Sequence, residues 1–165
     1  MDYAITSKIT EKMIDFYEGS THDIEHFLKV TAYAKLIGTL ENLDEKTFTT
    51  LEIAAIVHDI SCPLCREKYG SAYGNRQEEE SEALLRPFFE EFNLDTDMLE
   101  RVIYLVCHHH TTTGVDGIDY QILLEADFLV NASESKMDKT TIQNFYDRVV
   151  KTDSGKRLFE SIYLR

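Results

Sequence analysis

"EIAAIVHDIS", Glu52 to Ser61, poses the fold problem in ten residues. From Ile53 to His58 it reads as the buried side of a helix. Then an imidazole and a carboxylate arrive side by side, His58 and Asp59, where the pattern calls for more apolar carbon. A charge in an apolar interior is expensive unless it is paired. The stretch therefore predicts partners for both residues.

Working outward, apolar residues recur at spacings of three and four along most of the chain, the helical period. The spacing predicts helices over about 4–18, 20–40, 44–60, 77–92, 96–109, 118–135, 138–150 and 153–163. Gly19, the cap-type pair Ser20-Thr21, Asp44 and Pro63 mark the first boundaries. The segment 61–76 reads as irregular. Strand alternation is weak throughout. At 165 residues the chain fits one domain with a real core. The expected fold is all-α: a single bundle of about six to eight helices, with a motif-bearing core over about 20–135 and C-terminal helices over 138–163.

Thirty acidic residues against 17 basic ones leave a net charge of −13. Such a surface repels polyanions, which argues against nucleic-acid polymers and anionic membranes as partners. No uninterrupted apolar run approaches the roughly 20 residues of a membrane span. "MDYAITSKIT" lacks the basic and apolar regions of a leader peptide. Three cysteines suit a reducing compartment. A cytoplasmic location is the expectation, and a homodimer is compatible with it.

Two more residues, His26 and Asp127, interrupt apolar faces. On the second helix His22, His26, Lys29 and Tyr33 follow at spacings of four, three and four, with His26 beside the inward Val30 and Ile37. His58 continues Leu51, Ala54 and Ala55. In "YQILLEADFLVNASE", Asp127 follows Leu123 by four and precedes Val130 by three. Alone, an inward histidine is usually a core residue bonded to the backbone, and an inward aspartate a cap or an ion-pair member. Two histidines and two aspartates on three helices that must pack together point instead to a divalent cation, which supplies the charge that Asp59 and Asp127 need.

His26 in "HFLKVTAYAKLIG", His58-Asp59 in "IVHDI" and Asp127 in "LLEADFLVNASE" resemble the His-Asp (HD) superfamily of metal-dependent phosphohydrolases. The similarity runs over about residues 20–135. It extends to a segment that runs here from Tyr69-Gly70 through Gln77 and Glu80, and to a "HHHT" turn at His108 to Thr111. The resemblance implies an all-helical domain in which His26, His58, Asp59 and Asp127 ligate a metal. Ser61 stands where relatives often carry glycine, which predicts a different turn there. Relatives with two metals use a further histidine between these motifs, but none occurs from residue 59 to 107. One ion is therefore expected. A second is possible, with Gln77 or Glu80 in the region of the missing histidine.

The "CHHHTTTG" run offers imidazoles for ligation, phosphate contact or proton transfer. The helical register turns His109 or His110 inward and leaves His108 exposed; a polar helix end is the plainer alternative. Asp59 is the first choice to orient a water. Lys29, and Arg66, Lys68 and Arg76 in the irregular segment, are the candidate phosphate contacts. "CPLC", Cys62 to Cys65, resembles a redox or zinc half-site, but a helix ends just before it, and its expected role is structural. Nitrogen-plus-oxygen ligation suits Mn, Fe, Ni, Co or Zn better than Mg. The expected function is hydrolysis of a small phosphorylated molecule, with a nucleotide as the leading class. The alternative is a metal-stabilised helical domain that binds a nucleotide signal or a protein partner without turnover.

Overall fold

The computed structural model describes residues 3–165, and among them helix is the only regular secondary structure. α1 spans Tyr3–Phe16, α2 Thr21–Leu40, α3 Glu45–Val57, α4 Cys62–Tyr69 and α5 Gly74–Phe89, followed by a 3-10 turn over Glu90–Phe92. α6 spans Thr96–Val106, α7 Ile118–Glu134, α8 Lys139–Val149 and α9 Asp153–Tyr163. The all-α expectation holds. The leader-peptide reading rests partly on Met1 and Asp2, which lie outside the described residues.

α3 is the axis of the bundle. The Asp44 side chain caps its first turn by accepting from the Thr47 amide at 3.0 Å. Every residue from Phe48 to Val57 is buried, because α1, α2, α6 and α7 surround the helix. Burial on all sides explains why the stretch from Ile53 to Val57 carries no polar residue, while the buried Glu52 before it is paired with Lys35 at 2.8 Å. α2 turns Phe27, Val30, Ala34 and Ile37 toward α3 and α7, all at 0% exposure. Removing each of the larger three from water contributes about 1.5–3 kcal/mol. The helical stretch Glu45–Tyr69 is long and apolar enough to cross a bilayer, yet 78% of its apolar window is buried within the bundle. Its composition is that of a core helix.

The segment after Asp59 departs from expectation. The sequence predicts an irregular, glycine-containing segment over 61–76, beyond a helix end marked by Pro63. In the structure Pro63 starts a helix instead, sitting in the first turn of α4. A proline's fixed φ suits that position, and its missing N–H has no intrahelical acceptor there. Gly70, at φ 75°, closes the helix in the left-handed region. Ser61 is in the right-handed helical region at φ −86°, so a glycine is not required. Its hydroxyl donates to the Gln77 carbonyl at 3.0 Å and accepts from the Ser81 hydroxyl at 3.0 Å, tying the turn to α5.

Candidate metal centre

Helix packing brings His26 of α2, His58 and Asp59 at the end of α3, and Asp127 of α7 to one point. His26 Nε2 lies 3.2 Å from His58 Nε2, 3.2 Å from Asp59 Oδ2 and 3.2 Å from Asp127 Oδ1. His58 Nε2 lies 3.5 Å from Asp59 Oδ2 and 3.4 Å from Asp127 Oδ1. The histidine run adds His109, whose Nε2 is 3.4 Å from the other Asp59 oxygen, Oδ1. His58 and His109 side chains are wholly buried, and Asp127 nearly so.

The outer nitrogens set the tautomers. His58 Nδ1 donates to the Ala55 carbonyl at 2.7 Å, and His109 Nδ1 to the Val106 carbonyl at 2.7 Å. A carbonyl only accepts, so each Nδ1 carries the proton and each neutral ring turns a bare Nε2 inward. His26 Nδ1 faces the Glu134 carboxylate at 2.7 Å. Three imidazole lone pairs and two carboxylates thus converge with no hydrogen among them when the rings are neutral. His109 Nε2 is one of two buried side-chain polar atoms left without a hydrogen-bond partner among the described residues. Leaving such an atom unpaired costs about 1–3 kcal/mol.

A divalent cation fits this set. Metal–nitrogen bonds of about 2.0–2.1 Å give ligand–ligand edges of roughly 2.8–3.0 Å in octahedral and roughly 3.3–3.4 Å in tetrahedral geometry. The observed separations of 3.2 to 3.5 Å lie close to the tetrahedral spacing. The imidazole-plus-carboxylate donors suit a first-row transition ion. His26, His58 and Asp59 form one group able to hold a metal, and Asp59, His109 and His110 form a second. Asp59 belongs to both, one oxygen toward each.

Charge balance points the same way. At His26, burial works to lower the pKa, but hydrogen bonds to Asp127 and Glu134 and the charges of Asp59 and Asp127 outweigh it and raise it to about 9. At Asp127 burial raises the pKa, and the His26 and His58 rings, which donate to it through Nε2 when protonated, more than reverse this and hold the carboxyl far below its ordinary value. Asp59 is likewise held well down: burial opposes, while the His58, His109 and His26 imidazoles dominate. The cluster draws in positive charge, and a proton on His26 is one way to supply it.

The histidine run divides by role. His108 Nδ1 bonds the Tyr104 carbonyl and its ring stacks on Tyr104 at 4.1 Å, away from the cluster. His110 packs against His109, with ring centroids 3.9 Å apart. Its Nε2 meets Gln77 Oε1 at 3.1 Å, while the Gln77 amide donates to the Ala72 carbonyl. That orientation puts the His110 proton on Nε2 and leaves Nδ1 bare. Loss of water around the ring, followed by the His109 charge, lowers the His110 pKa to about 4. Gly74 makes the approach possible: a Cβ there would sit 2.6 Å from His110 Cγ.

The expected phosphate contacts are otherwise engaged. Lys29 pairs with Glu134 at 3.3 Å, which places it behind the outer edge of His26. Arg66 grips Asp23 through both guanidinium nitrogens at 3.2 and 2.5 Å. Lys68 pairs with Glu80, which also accepts from the Tyr69 hydroxyl. Arg76 pairs with Glu79 at 2.9 Å and lies over the Tyr69 ring. The acidic composition supplies each cation with a carboxylate, a competition that residue spacing does not reveal. Glu80, held by Lys68 and Tyr69, is outside both donor groups; Gln77 meets the site through His110.

Cys62 and Cys65 are buried and free. Contrary to expectation, "CPLC" does open a helix. Burial first, then the Asp59 charge, pushes the Cys62 thiol far up, and burial raises Cys65 too. Raised thiols are poor nucleophiles. A cleft of about 440 Å³ beside Thr112, Gly117 and Arg148 carries none of the cluster's donors.

Three residues around the site escaped the sequence reading. Asn131 donates to Asp127 Oδ1 at 2.8 Å, one turn along α7. The buried Tyr17 donates to the Asp59 carbonyl at 3.0 Å. Glu134 lies seven residues after Asp127, two helical turns along the same face, and that spacing was the available signal. The family model described as HD domain matches residues 23–141. No curated protein matches the chain.

Proposed function

The chain belongs to the HD domain family, whose members are in general metal-dependent hydrolases, and from that premise we propose that it is a phosphohydrolase acting on a small phosphorylated molecule, with a nucleotide as the leading class. His26, His58, Asp59 and Asp127 hold a divalent ion, with Mn, Fe, Ni, Co or Zn preferred over Mg. Asp59, His109 and His110 hold a second where one is bound. The observation that supports this most is the convergence of bare imidazole nitrogens on two carboxylates, with His109 Nε2 unpartnered.

A bound divalent ion supplies charge for the phosphoryl oxygens and lowers the pKa of a coordinated water toward neutrality. The protein contributes the rest. Ala55, Val106 and Glu134 fix the three rings by their outer nitrogens, so the inner ones need no reorientation. Asp59, with an oxygen on each side of the site, orients the attacking water. Where no second ion takes its bare Nδ1, His110 is neutral at pH 7 and suits a proton acceptor better than a donor to the leaving group.

A second reading, a binding module without turnover, is favoured by one observation: the four expected phosphate contacts are all ion-paired. The test is a hydrolysis screen over small phosphorylated compounds with each of the five ions, on protein whose native metal has been identified by elemental analysis. Metal-dependent phosphate release supports the proposal. Tight nucleotide binding without product supports the binding module. Protein that takes up none of the ions overturns both.

A further inference from the structure

The three inward imidazoles are not held alike. His58 and His109 donate their outer N–H to a main-chain carbonyl three residues back. Those acceptors are neutral, and local helical geometry makes them available to any residue at that position. His26 donates instead to a carboxylate that comes from 108 residues away, on a different helix, at 2.7 Å. The second oxygen of that carboxylate, Glu134 Oε1, takes the Lys29 ammonium at 3.3 Å. Glu134 is mostly buried, with a side-chain exposure of 14%, whereas Lys29 is half exposed at 51%. The chain of contacts therefore runs from a surface cation, through a shielded carboxylate, to the back of one ring, whose front faces Asp59 and Asp127.

A hydrogen bond to an ionised acceptor is roughly twice as strong as one to a neutral acceptor. It also leaves more electron density on the opposite nitrogen, so the ring becomes a better donor to a cation. We propose that Glu134 is a positioning residue that makes His26 the strongest nitrogen donor of the site, and that Lys29 tempers it by sharing the carboxylate's charge. This rests on the metal-binding reading above and adds a direction that reading does not contain. Lys29 and Glu134 form an ion pair, so a purely structural clamp between α2 and α7 would fail equally when either half is removed. A tuning role makes the two halves act in opposite senses. Without Glu134, His26 loses its acceptor and its orientation. Without Lys29, the whole charge of Glu134 faces His26.

The probe is Co(II) alone, titrated into metal-free protein and followed by its visible absorption bands, with circular dichroism melting of each metal-free variant alongside. Glu134→Ala is expected to weaken Co(II) binding by about 10–100-fold, the usual loss when such a supporting partner is removed. Glu134→Gln keeps the shape and an acceptor oxygen without the charge; it is expected to fall between Glu134→Ala and the wild type, with shifted absorption bands. Lys29→Met keeps the aliphatic stem and is expected to bind Co(II) at least as tightly as the wild type. Equal losses in Lys29→Met and Glu134→Gln would overturn the proposal in favour of a clamp. Wild-type affinity and spectrum in both Glu134 variants would overturn it as well. Should the wild-type protein itself bind no Co(II), the metal-binding reading fails with it, a result distinct from the other two.

Discussion

Asp127→Asn isolates one charged donor while keeping side-chain volume and the capacity to bond Asn131. Asp127 Oδ1 stands 3.2 Å from His26 Nε2 and 3.4 Å from His58 Nε2, so it is shared by both rings. An ion bound only by the folded chain stabilises it by about 4.1 kcal/mol when present at 1,000 times its Kd. For 165 residues at about 2.1 cal/mol/K each, the unfolding entropy is roughly 0.35 kcal/mol/K. The wild-type Tm should therefore rise by about 12 °C with saturating ion. Removing the anionic donor weakens binding by at least about a hundredfold, since loss of a mere supporting partner already costs 10–100-fold. That removes about 2.7 kcal/mol of the stabilisation and leaves a rise of about 4 °C at the same ion concentration. Thermal melting by circular dichroism, with chelator and then with each of Mn, Fe, Co, Ni and Zn, reads this directly. The increment is taken within each protein, so a change in metal-free stability does not enter. Glu80→Gln, at a carboxylate outside the cluster, should retain the full wild-type increment. A full increment in Asp127→Asn would refute the ligand assignment, and no increment in the wild type with any of the five ions would refute the metal centre.

Gly74→Ala should push His110 off its place, because the added Cβ would stand 2.6 Å from His110 Cγ; steady-state kinetics should show kcat reduced by about tenfold or more, with ion uptake at His26, His58 and Asp127 retained. Cys62→Ser with Cys65→Ser should keep metal content, since neither sulfur belongs to the donor groups; a drop in bound metal by elemental analysis would restore a role for that pair. Glu125 is fully buried and accepts from the Lys151 and Thr152 amides, the Thr152 hydroxyl and the Gln121 amide. Glu125→Ala should therefore cost about 3 kcal/mol or more in urea unfolding, as several donors lose their acceptor at once. Glu41 accepts from the Ser154 amide at 2.8 Å, and its hydrogen bonds to Ser154 hold its carboxyl below the ordinary value. A depressed folded pKa gives stability that is complete above the unfolded value, about 4.3, and is lost as pH falls through the lower folded value. The Tm gap between wild type and Glu41→Gln should accordingly be constant above about pH 5 and shrink below about pH 4.

Periodicity along the chain was enough to place α2, α3 and α7 and to turn His26, His58 and Asp127 inward. Each is a polar residue with a buried residue three or four positions away on either side, and that relation is local. The boundary at Pro63 misled because proline suits a helix start as well as it ends one, and the dipeptide context does not say which. What no local pattern holds is the choice of partner. His109 and His110 differ by one position in the same turn; the packing of α6 against α3 sets His109 on Asp59, and the absence of a Cβ at Gly74 lets His110 lie against α5. Lys29, Arg66, Lys68 and Arg76 looked free for a phosphate, yet Lys29 and Arg66 meet carboxylates 105 and 43 residues away in the chain. The support of His26 by Glu134 spans 108 residues. Hydrogen bonds and ion pairs act over about 3 Å of space irrespective of chain separation, so they become definite only when the helices have packed.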